Sequence, residues 1–138
     1  MKPTADLSEL LKNMKPAADK TKYYMATVDE GQLMALSGYL QYIICVFKED
    51  EGLTIVFSEG IKEEMQDFTE KEIIGPFALI TLGVYPHPDA VGFLAKITEA
   101  LAKEKISIYV FSGYHHDHLL VPFERKDDAM KTLQSMRP

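Results

Sequence analysis

The segment that decides the fold runs from residue 77 to residue 111 and reads FALITLGVY PHPDAVGFLAKITEALAKEK ISIYVF. Its first part, Phe77 to Tyr85, and its last part, Ile106 to Phe111, are short apolar runs rich in residues that favour strands. Between them, residues 86–105 carry apolar side chains at helical spacing, which is typical of an amphipathic helix. The segment therefore predicts a strand, a helix and a strand.

Two residues mark the predicted beginning of this helix. Pro88 suits the first helical position, and Asp89 places a negative charge near the positive end of the helix dipole. We therefore expect the helix to begin near His87. Gly92 has no side chain, so it either lets a ligand approach the backbone or lets the helix pack closely on the sheet.

The pattern continues downstream. Ser112 to Asp117 lies between apolar runs and predicts the turn of a hairpin. Glu124 to Met136 has apolar residues spaced for a second helix with acidic residues near its start. Residues 77–136 thus predict β-α-β-β-α, one strand short of the split βαβ ferredoxin-like motif. Tyr23 to Val28 or a partner chain is expected to supply the missing strand.

The first half of the chain carries a weaker version of the same pattern. Tyr42 to Phe47 and Leu53 to Phe57 predict two strands joined by a charged turn, and Ile61 to Phe68 predicts a helix. Further upstream the sequence predicts a short helix that ends before Pro16, a strand over Tyr23 to Val28, and a continuation of Gly38 to Tyr42 into the next strand. We therefore predict an α+β fold of two ferredoxin-like units, residues 1–72 and 73–138. Each unit is expected to have an antiparallel sheet with helices packed on one face, and the first is expected to be incomplete or strand-exchanged.

Charge and hydropathy exclude several classes of function. The net charge is −6, with 21 acidic against 15 basic residues, and the basic residues are scattered among carboxylates. Nucleic acids and anionic membrane surfaces are therefore unexpected partners. No apolar run approaches membrane-spanning length and the N-terminal residues lack the apolar centre of a signal peptide, so we expect a cytoplasmic location. The single cysteine, Cys45, lies in an apolar run and is expected to be buried and unreactive.

Three of the four histidines fall within His115-His-Asp-His118. On a strand, His116 and His118 project from one face, and Asp117 projects from the other. A metal site would need a third ligand, such as His87 or Asp89, and no recognised metal-binding spacing is present. Two further interpretations remain open: a turn stabilised by Asp117, and a contact surface for a ligand or a partner.

Three stretches together resemble the ACT-like domains, in particular a branch with two such units in tandem. They are Ala90 to Ala95, the pair Ile106-Ser107, and Ser112 to Pro122 with its Gly-Tyr-x-His-Asp-His string; Cys45 to Val56 is similar to the first unit of that branch. The resemblance implies a regulatory fold that binds amino acids or similar effectors, often as a dimer. It places the effector near the loop from first strand to first helix, which corresponds to Tyr85 to Gly92.

No catalytic or cofactor-binding motif supports an enzymatic function. The sequence has no nucleophile elbow, no phosphate-binding glycine-rich loop and no dinucleotide fingerprint. We therefore predict a non-catalytic module, without cofactor or resident metal, that senses an amino acid or a related carboxylate and forms a homodimer. The alternatives are an interaction or oligomerisation module and a metal-dependent enzyme that uses the histidines. The predicted ligand-binding residues lie at one edge of the sheet and are His87, Asp89, Ala90, Val91, Gly92, Tyr114, His116, Asp117 and His118.

Overall fold

The computed structural model describes residues 1–138 and contains five α-helices and seven strands. The helices are α1 (Leu7–Asn13), α2 (Leu33–Leu36), α3 (Lys62–Gln66), α4 (Phe93–Lys103) and α5 (Lys126–Ser135). The strands are β1 (Ala17–Ala18), β2 (Tyr23–Val28), β3 (Ile43–Glu49), β4 (Gly52–Ser58), β5 (Ile74–Thr81), β6 (Tyr109–Ser112) and β7 (Asp117–Pro122). The predicted α+β fold with two ferredoxin-like units is confirmed.

The chain forms two compact units. The central unit comprises Thr21–Phe77, and the discontinuous unit comprises Met1–Lys20 together with Ala78–Pro138. The predicted boundary between residues 72 and 73 assigned the N-terminal residues to the first unit, whereas here they pack with the C-terminal half. That boundary, as a division between two family units, stays a prediction.

The central unit contains an antiparallel sheet in the order β3-β4-β2-β5, to which residues 74–77 of β5 contribute. Strand β4 is its centre, because six residues of β2 pair with it on one side and β3 pairs with it on the other. The side chains of Leu53, Ile55 and Phe57, at alternate positions of β4, are buried. They pack against Ile61 and Met65, which lie just before α3 and on it. The apolar face of β4 and the apolar side chains around α3 therefore share one core.

The discontinuous unit contains the order β6-β7-β5, and β1 pairs with β5 on its other side. Its core is formed by side chains from the strands and from three helices: Leu10 and Met14 around α1, Phe93, Ile97 and Leu101 on α4, and Ala129 and Leu133 on α5. Helix α4 thus buries one face, as its amphipathic sequence predicts.

The missing strand comes from a segment that sequence analysis did not name. The fourth strand of the discontinuous unit is β1, in which Ala17 pairs with Thr81 and Ala18 with Ile80. Tyr23 to Val28 instead pairs with β4 and β5 inside the central unit. Two alanines give too short an apolar run for pattern analysis to detect, and only the pairing with β5 makes them a strand.

Three local predictions are also corrected. Gly38 to Tyr42 lies in a 3-10 helix, Ser37–Tyr42, and not in a strand. Helix α4 begins at Phe93, six residues after the predicted start. Cys45 is half-exposed and not buried, because β3 is an edge strand with a neighbour on one side only.

Candidate functional site

The histidine hairpin, residues 113–118, contacts the segment that follows β5. The Nδ1 atom of His116 lies 2.8 Å from the carbonyl oxygen of Val84, and the backbone amide of Leu82 donates to the carbonyl oxygen of Asp117 at 3.1 Å. The hairpin therefore packs against the end of β5 and the residues just after it; its meeting with residues 86–92 stays a prediction. Its contacts fall on residues 82–85, just before the predicted range.

Aromatic rings extend this junction outward. The ring of Tyr85 lies 5.4 Å from that of His115 and 6.5 Å from that of Tyr114. His115 is followed by His116 at 6.2 Å, and His116 by His118 at 6.5 Å with nearly perpendicular planes. His118 lies on β7, whereas His116 precedes the strand in the hairpin turn; the 6.5 Å separation still places the two rings close together. Tyr114 is 85% exposed, so the row of rings runs from solvent toward the sheet.

His118 is the inner end of this row and lies partly under the hairpin. Its Nδ1 atom is 2.9 Å from the hydroxyl of Thr81 on β5. Burial lowers the pKa of His118 below that of a free histidine, and the nearby His116 lowers it further, while the carboxylate of Asp117 acts in the opposite direction. Folding therefore favours the neutral ring more than a free histidine in water does.

Asp117 points away from the histidine face. Its side chain is 7% exposed, and its backbone carbonyl accepts from Leu82. The turn itself is closed by the amide of Gly113, which donates to the carbonyl of His116 at 2.9 Å. The turn is therefore held by a backbone hydrogen bond, and not by hydrogen bonds to the side chain of Asp117 as one interpretation of the sequence suggested.

The loop before α4 is held by its own groups. The amide of Asp89 donates to Nδ1 of His87 at 3.0 Å, and the amide of Ala90 donates to the His87 carbonyl at 2.8 Å. Nδ1 of His87 thus accepts a hydrogen bond from the backbone, and an oxygen of the Asp89 carboxylate lies 3.7 Å from the same atom. These bonds fold residues 87–90 into a turn and explain why the helix begins later than predicted.

The amides that stay free are those of Val91 to Ala95. Gly92 precedes α4 at a φ of 94° and offers no side-chain cap, and the first helical bond runs from Lys96 to Gly92. The start of an eleven-residue helix thus presents several unpaired N–H groups and the positive end of its dipole. Val91 beside it is 83% exposed. Of the predicted amide donors, Asp89 and Ala90 are engaged, and Val91 and Gly92 are available.

No hydrogen bond, ion pair or ring contact joins His87 or residues 89–92 to the hairpin. The hairpin is instead joined to residues 81–85, through contacts of Thr81, Leu82, Val84 and Tyr85. Sequence analysis named none of these four, nor His115, as a site residue. Tyr85 and His115 were within the quoted motifs and could have been chosen from them. Thr81 and Val84 carry no chemical signal in the sequence, and Val84 acts through its backbone.

The corresponding loop of the central unit is built differently. Asp29 follows β2 and its carboxylate accepts from the amide of Gly31 at 2.8 Å, so this helical start is capped internally. A cleft of about 380 Å³ beside it is lined by Asp29, Glu51, Asp67 and Glu70 among others. An anion is not expected to bind in this cleft, because Asp29 already caps the helix start and several carboxylates would repel it.

Comparisons with known proteins agree with this architecture. The family profile described as ACT domain matches residues 3–63 and again residues 75–135. The chain belongs to the ACT domain family. It carries two ACT domains in tandem, as the sequence predicted, and the members of this family are regulatory.

Solved structures similar to this ACT protein include one from Vibrio cholerae, a protein of unknown function described as a possible transport protein. It is 35% identical over 96% of both chains, with a TM-score of 0.76. The ligand-free regulatory subunit of aspartate kinase from Thermus thermophilus is 14% identical over 91% of this chain and 98% of that one, with a TM-score of 0.68. A putative C-terminal regulatory domain of aspartate kinase from Porphyromonas gingivalis is 18% identical over 89% and 96%, with a TM-score of 0.64. The last two share the fold.

Among functionally curated proteins, no significant match to the chain was found. None of the helices combines the length and the apolar character that crossing a bilayer requires. No group of three or more His, Cys, Asp or Glu side chains is arranged to hold a metal ion.

Proposed function

We propose that this ACT protein is a non-catalytic sensor that binds an amino acid or a related small carboxylate at the start of α4, next to the histidine hairpin. The observation that carries the proposal is the uncapped start of α4, where the amides of Val91 to Ala95 have no acceptor in the protein. Backbone amides at a helix start are suited to a carboxylate. The similarity to regulatory parts of aspartate kinases supports a regulatory role.

The histidine hairpin would close this site from one side. His116, held by Val84, keeps Nδ1 protonated and leaves Nε2 as an acceptor in the neutral ring. An ammonium group on the effector could donate to it. Asp117 and Ala90 take no direct part in this proposal, because the first is buried and the amide of the second is engaged.

A thermal screen tests the proposal. Each of the twenty amino acids is added singly, and the midpoint of unfolding is measured. An effector present at 100 times its dissociation constant should add about 2.7 kcal/mol to the free energy of unfolding. Val91→Asp places a carboxylate at the helix start and should abolish the response, whereas the isosteric Val91→Asn should retain it. Absence of any response, or equal responses of the two variants, would refute the proposed site.

A second proposal concerns self-association through β3. This strand pairs with β4 alone, and its residues Ile44, Val46 and Phe47 are 44%, 39% and 43% exposed. An unpaired apolar edge pairs readily with another strand, and an antiparallel pair of two β3 strands has the two-fold symmetry of a homodimer. We propose a second copy of this chain as the occupant.

Sedimentation of the wild type and of two lysine variants tests the dimer. Val46→Lys puts a charge on the edge and should give a monomer. Met34→Lys alters an equally apolar and 83% exposed residue on α2 and should leave the dimer intact. A monomeric wild type, or a dimeric Val46→Lys variant, would exclude pairing through β3.

A further inference from the structure

The two inner histidines of the hairpin, His116 and His118, each use only one ring nitrogen within the protein. Nδ1 of His116 lies 2.8 Å from the carbonyl oxygen of Val84, and Nδ1 of His118 lies 2.9 Å from the hydroxyl of Thr81. No hydrogen bond to another protein group involves Nε2 of either ring. Both rings therefore keep one nitrogen for a further ligand.

The partners of the two Nδ1 atoms prepare both rings for a metal ion. Because the Val84 carbonyl can only accept, Nδ1 of His116 carries the hydrogen, and Nε2 of the neutral ring has a free lone pair. The Thr81 hydroxyl can accept as well as donate, so His118 can adopt the same tautomer. Histidines that bind a metal through one nitrogen almost always hold the other nitrogen by such a hydrogen bond, which fixes the orientation of the ring.

The separation of the two rings suits two ligands of one ion. Their centres are 6.5 Å apart. Two imidazoles on opposite sides of one ion, with bonds of about 2.0 Å from Nε2, have ring centres about 6.3 Å apart. Gly113 leaves Nε2 of His118 accessible, because a Cβ atom at Gly113 would lie 3.8 Å from that nitrogen. Both histidines are half-buried beside the exposed turn residues Tyr114 and His115, so an ion can reach them from solvent.

We propose that His116 and His118 form an exchangeable site for a divalent transition-metal ion, with Cu²⁺ bound most tightly. Imidazole nitrogen suits zinc, copper and nickel, and among the divalent first-row ions Cu²⁺ has the highest affinity for such a ligand. No third His, Cys, Asp or Glu side chain completes the set, so water would fill the remaining positions, and a closed structural zinc site is not expected. The proposal does not rest on effector binding at α4.

Titration of the untagged, metal-free full chain with copper(II) chloride, in the absence of any amino acid, tests this assignment. Electron paramagnetic resonance should show a single bound Cu²⁺ per chain that is coupled to two nitrogens. In the nuclear magnetic resonance spectrum of the isotope-labelled protein, the paramagnetic ion should broaden the amide resonances of residues 81–84 and 113–118. Ni²⁺ and Zn²⁺ should bind at the same place with lower affinity.

Four variants separate the roles of the side chains. His116→Asn keeps a side-chain N–H donor for the Val84 carbonyl but has no second ring nitrogen, and His118→Gln removes the other ligand. Each should weaken Cu²⁺ binding by about tenfold or more. Thr81→Val removes only the hydrogen-bond partner of His118 and should weaken binding by about tenfold. His115→Gln alters the adjacent, exposed histidine and is the matched control, which should leave the affinity unchanged.

Two results would overturn the proposal. One is equal affinity of the wild type, His116→Asn and His118→Gln for Cu²⁺, or a loss in His115→Gln as large as theirs. The other is the absence of Cu²⁺ binding, or broadening that spares residues 81–84 and 113–118. Val91→Asp, which should abolish the response to an amino acid at α4, should leave Cu²⁺ binding intact, so the failure of one site is distinguishable from the failure of the other.

Discussion

The Nδ1 atom of His116 lies 2.8 Å from the carbonyl oxygen of Val84. Because a carbonyl can only accept, Nδ1 carries the hydrogen, which fixes the tautomer of the neutral ring. This bond ties the histidine hairpin to the loop that follows β5. A histidine that the sequence suggested as a ligand-binding residue therefore also has a structural role.

His116→Ala should lower the free energy of unfolding by about 1 kcal/mol, because it removes this hydrogen bond and leaves the Val84 carbonyl without its partner. His116→Asn keeps a side-chain N–H donor near the same position and should recover part of the loss. Urea unfolding of the three proteins measures both effects. Identical stability of all three would show that the bond does not contribute in solution.

Gly83 is the residue where the loop after β5 cannot tolerate a side chain. Its φ is 72°, and a Cβ atom would come within 2.4 Å of the carbonyl oxygen of Lys15. Gly83→Ala should therefore destabilise the protein by about 2 kcal/mol or more. Gly38→Ala is the matched control, because a Cβ there meets nothing within 4 Å, and it should change stability by less than about 0.5 kcal/mol. Similar losses at both positions would contradict the close approach of Gly83 to Lys15.

His118 should make stability depend on pH. Burial and the charge of His116 lower the pKa of His118 in the folded protein, so the unfolded chain binds a proton more readily. The contribution of the neutral ring is complete above the unfolded pKa of about 6.5. It decreases as pH falls below that value and stops decreasing below the folded pKa.

Urea unfolding at a series of pH values between about 5 and 8 tests whether stability decreases as the pH falls. The wild type should lose stability toward pH 5, and His118→Gln, which cannot titrate, should lose less over the same range. His115→Gln is the control, because His115 is exposed and should leave the wild-type slope unchanged. If His118→Gln lost more stability toward pH 5 than the wild type, the pKa of His118 would be raised by folding and not lowered.

Cys45 should react slowly with thiol reagents near neutral pH. Partial burial raises the pKa of its thiol above the ordinary value, which reduces the fraction present as the reactive thiolate. The rate with a chromogenic disulfide should rise when the protein is unfolded in urea at the same pH. A folded rate equal to the unfolded rate would show that the half-exposed side chain is not protected.

The order of the elements could be predicted because periodicity is local. The strands around Phe77 and Tyr109, helix α4 and the repeat in the first half all have the apolar spacing of their secondary structure. The start of α4 could not be predicted in the same way. Pro88 and Asp89 are good helix-start residues. However, the His87 amide donates to the Thr4 carbonyl, and this bond and those within residues 87–90 hold the segment in a turn.

In the candidate site too, some residues could be predicted from the sequence and others could not. The motif residues Tyr114, His116 and His118 were chosen from their types and spacing. The structure brings the rings of His116 and His118 to 6.5 Å, with His116 in the turn and not on the strand. Their partners Thr81 and Val84 were missed, because a hydroxyl in a strand and a backbone carbonyl have no distinctive sequence. Distances of more than thirty residues along the chain separate each histidine from its partner.

The sequence by itself determined the α+β class, the two repeated units and the positions of the histidines, since these depend on local spacing and residue type. The tertiary structure alone decided that Ala17 and Ala18 complete the sheet of the C-terminal half and that Asp89 and Ala90 use their amides internally. It also decided that a cleft forms between α1 and the residues that follow β5. Each of these depends on backbone groups far apart in the chain, whose pairing leaves no pattern in the side chains.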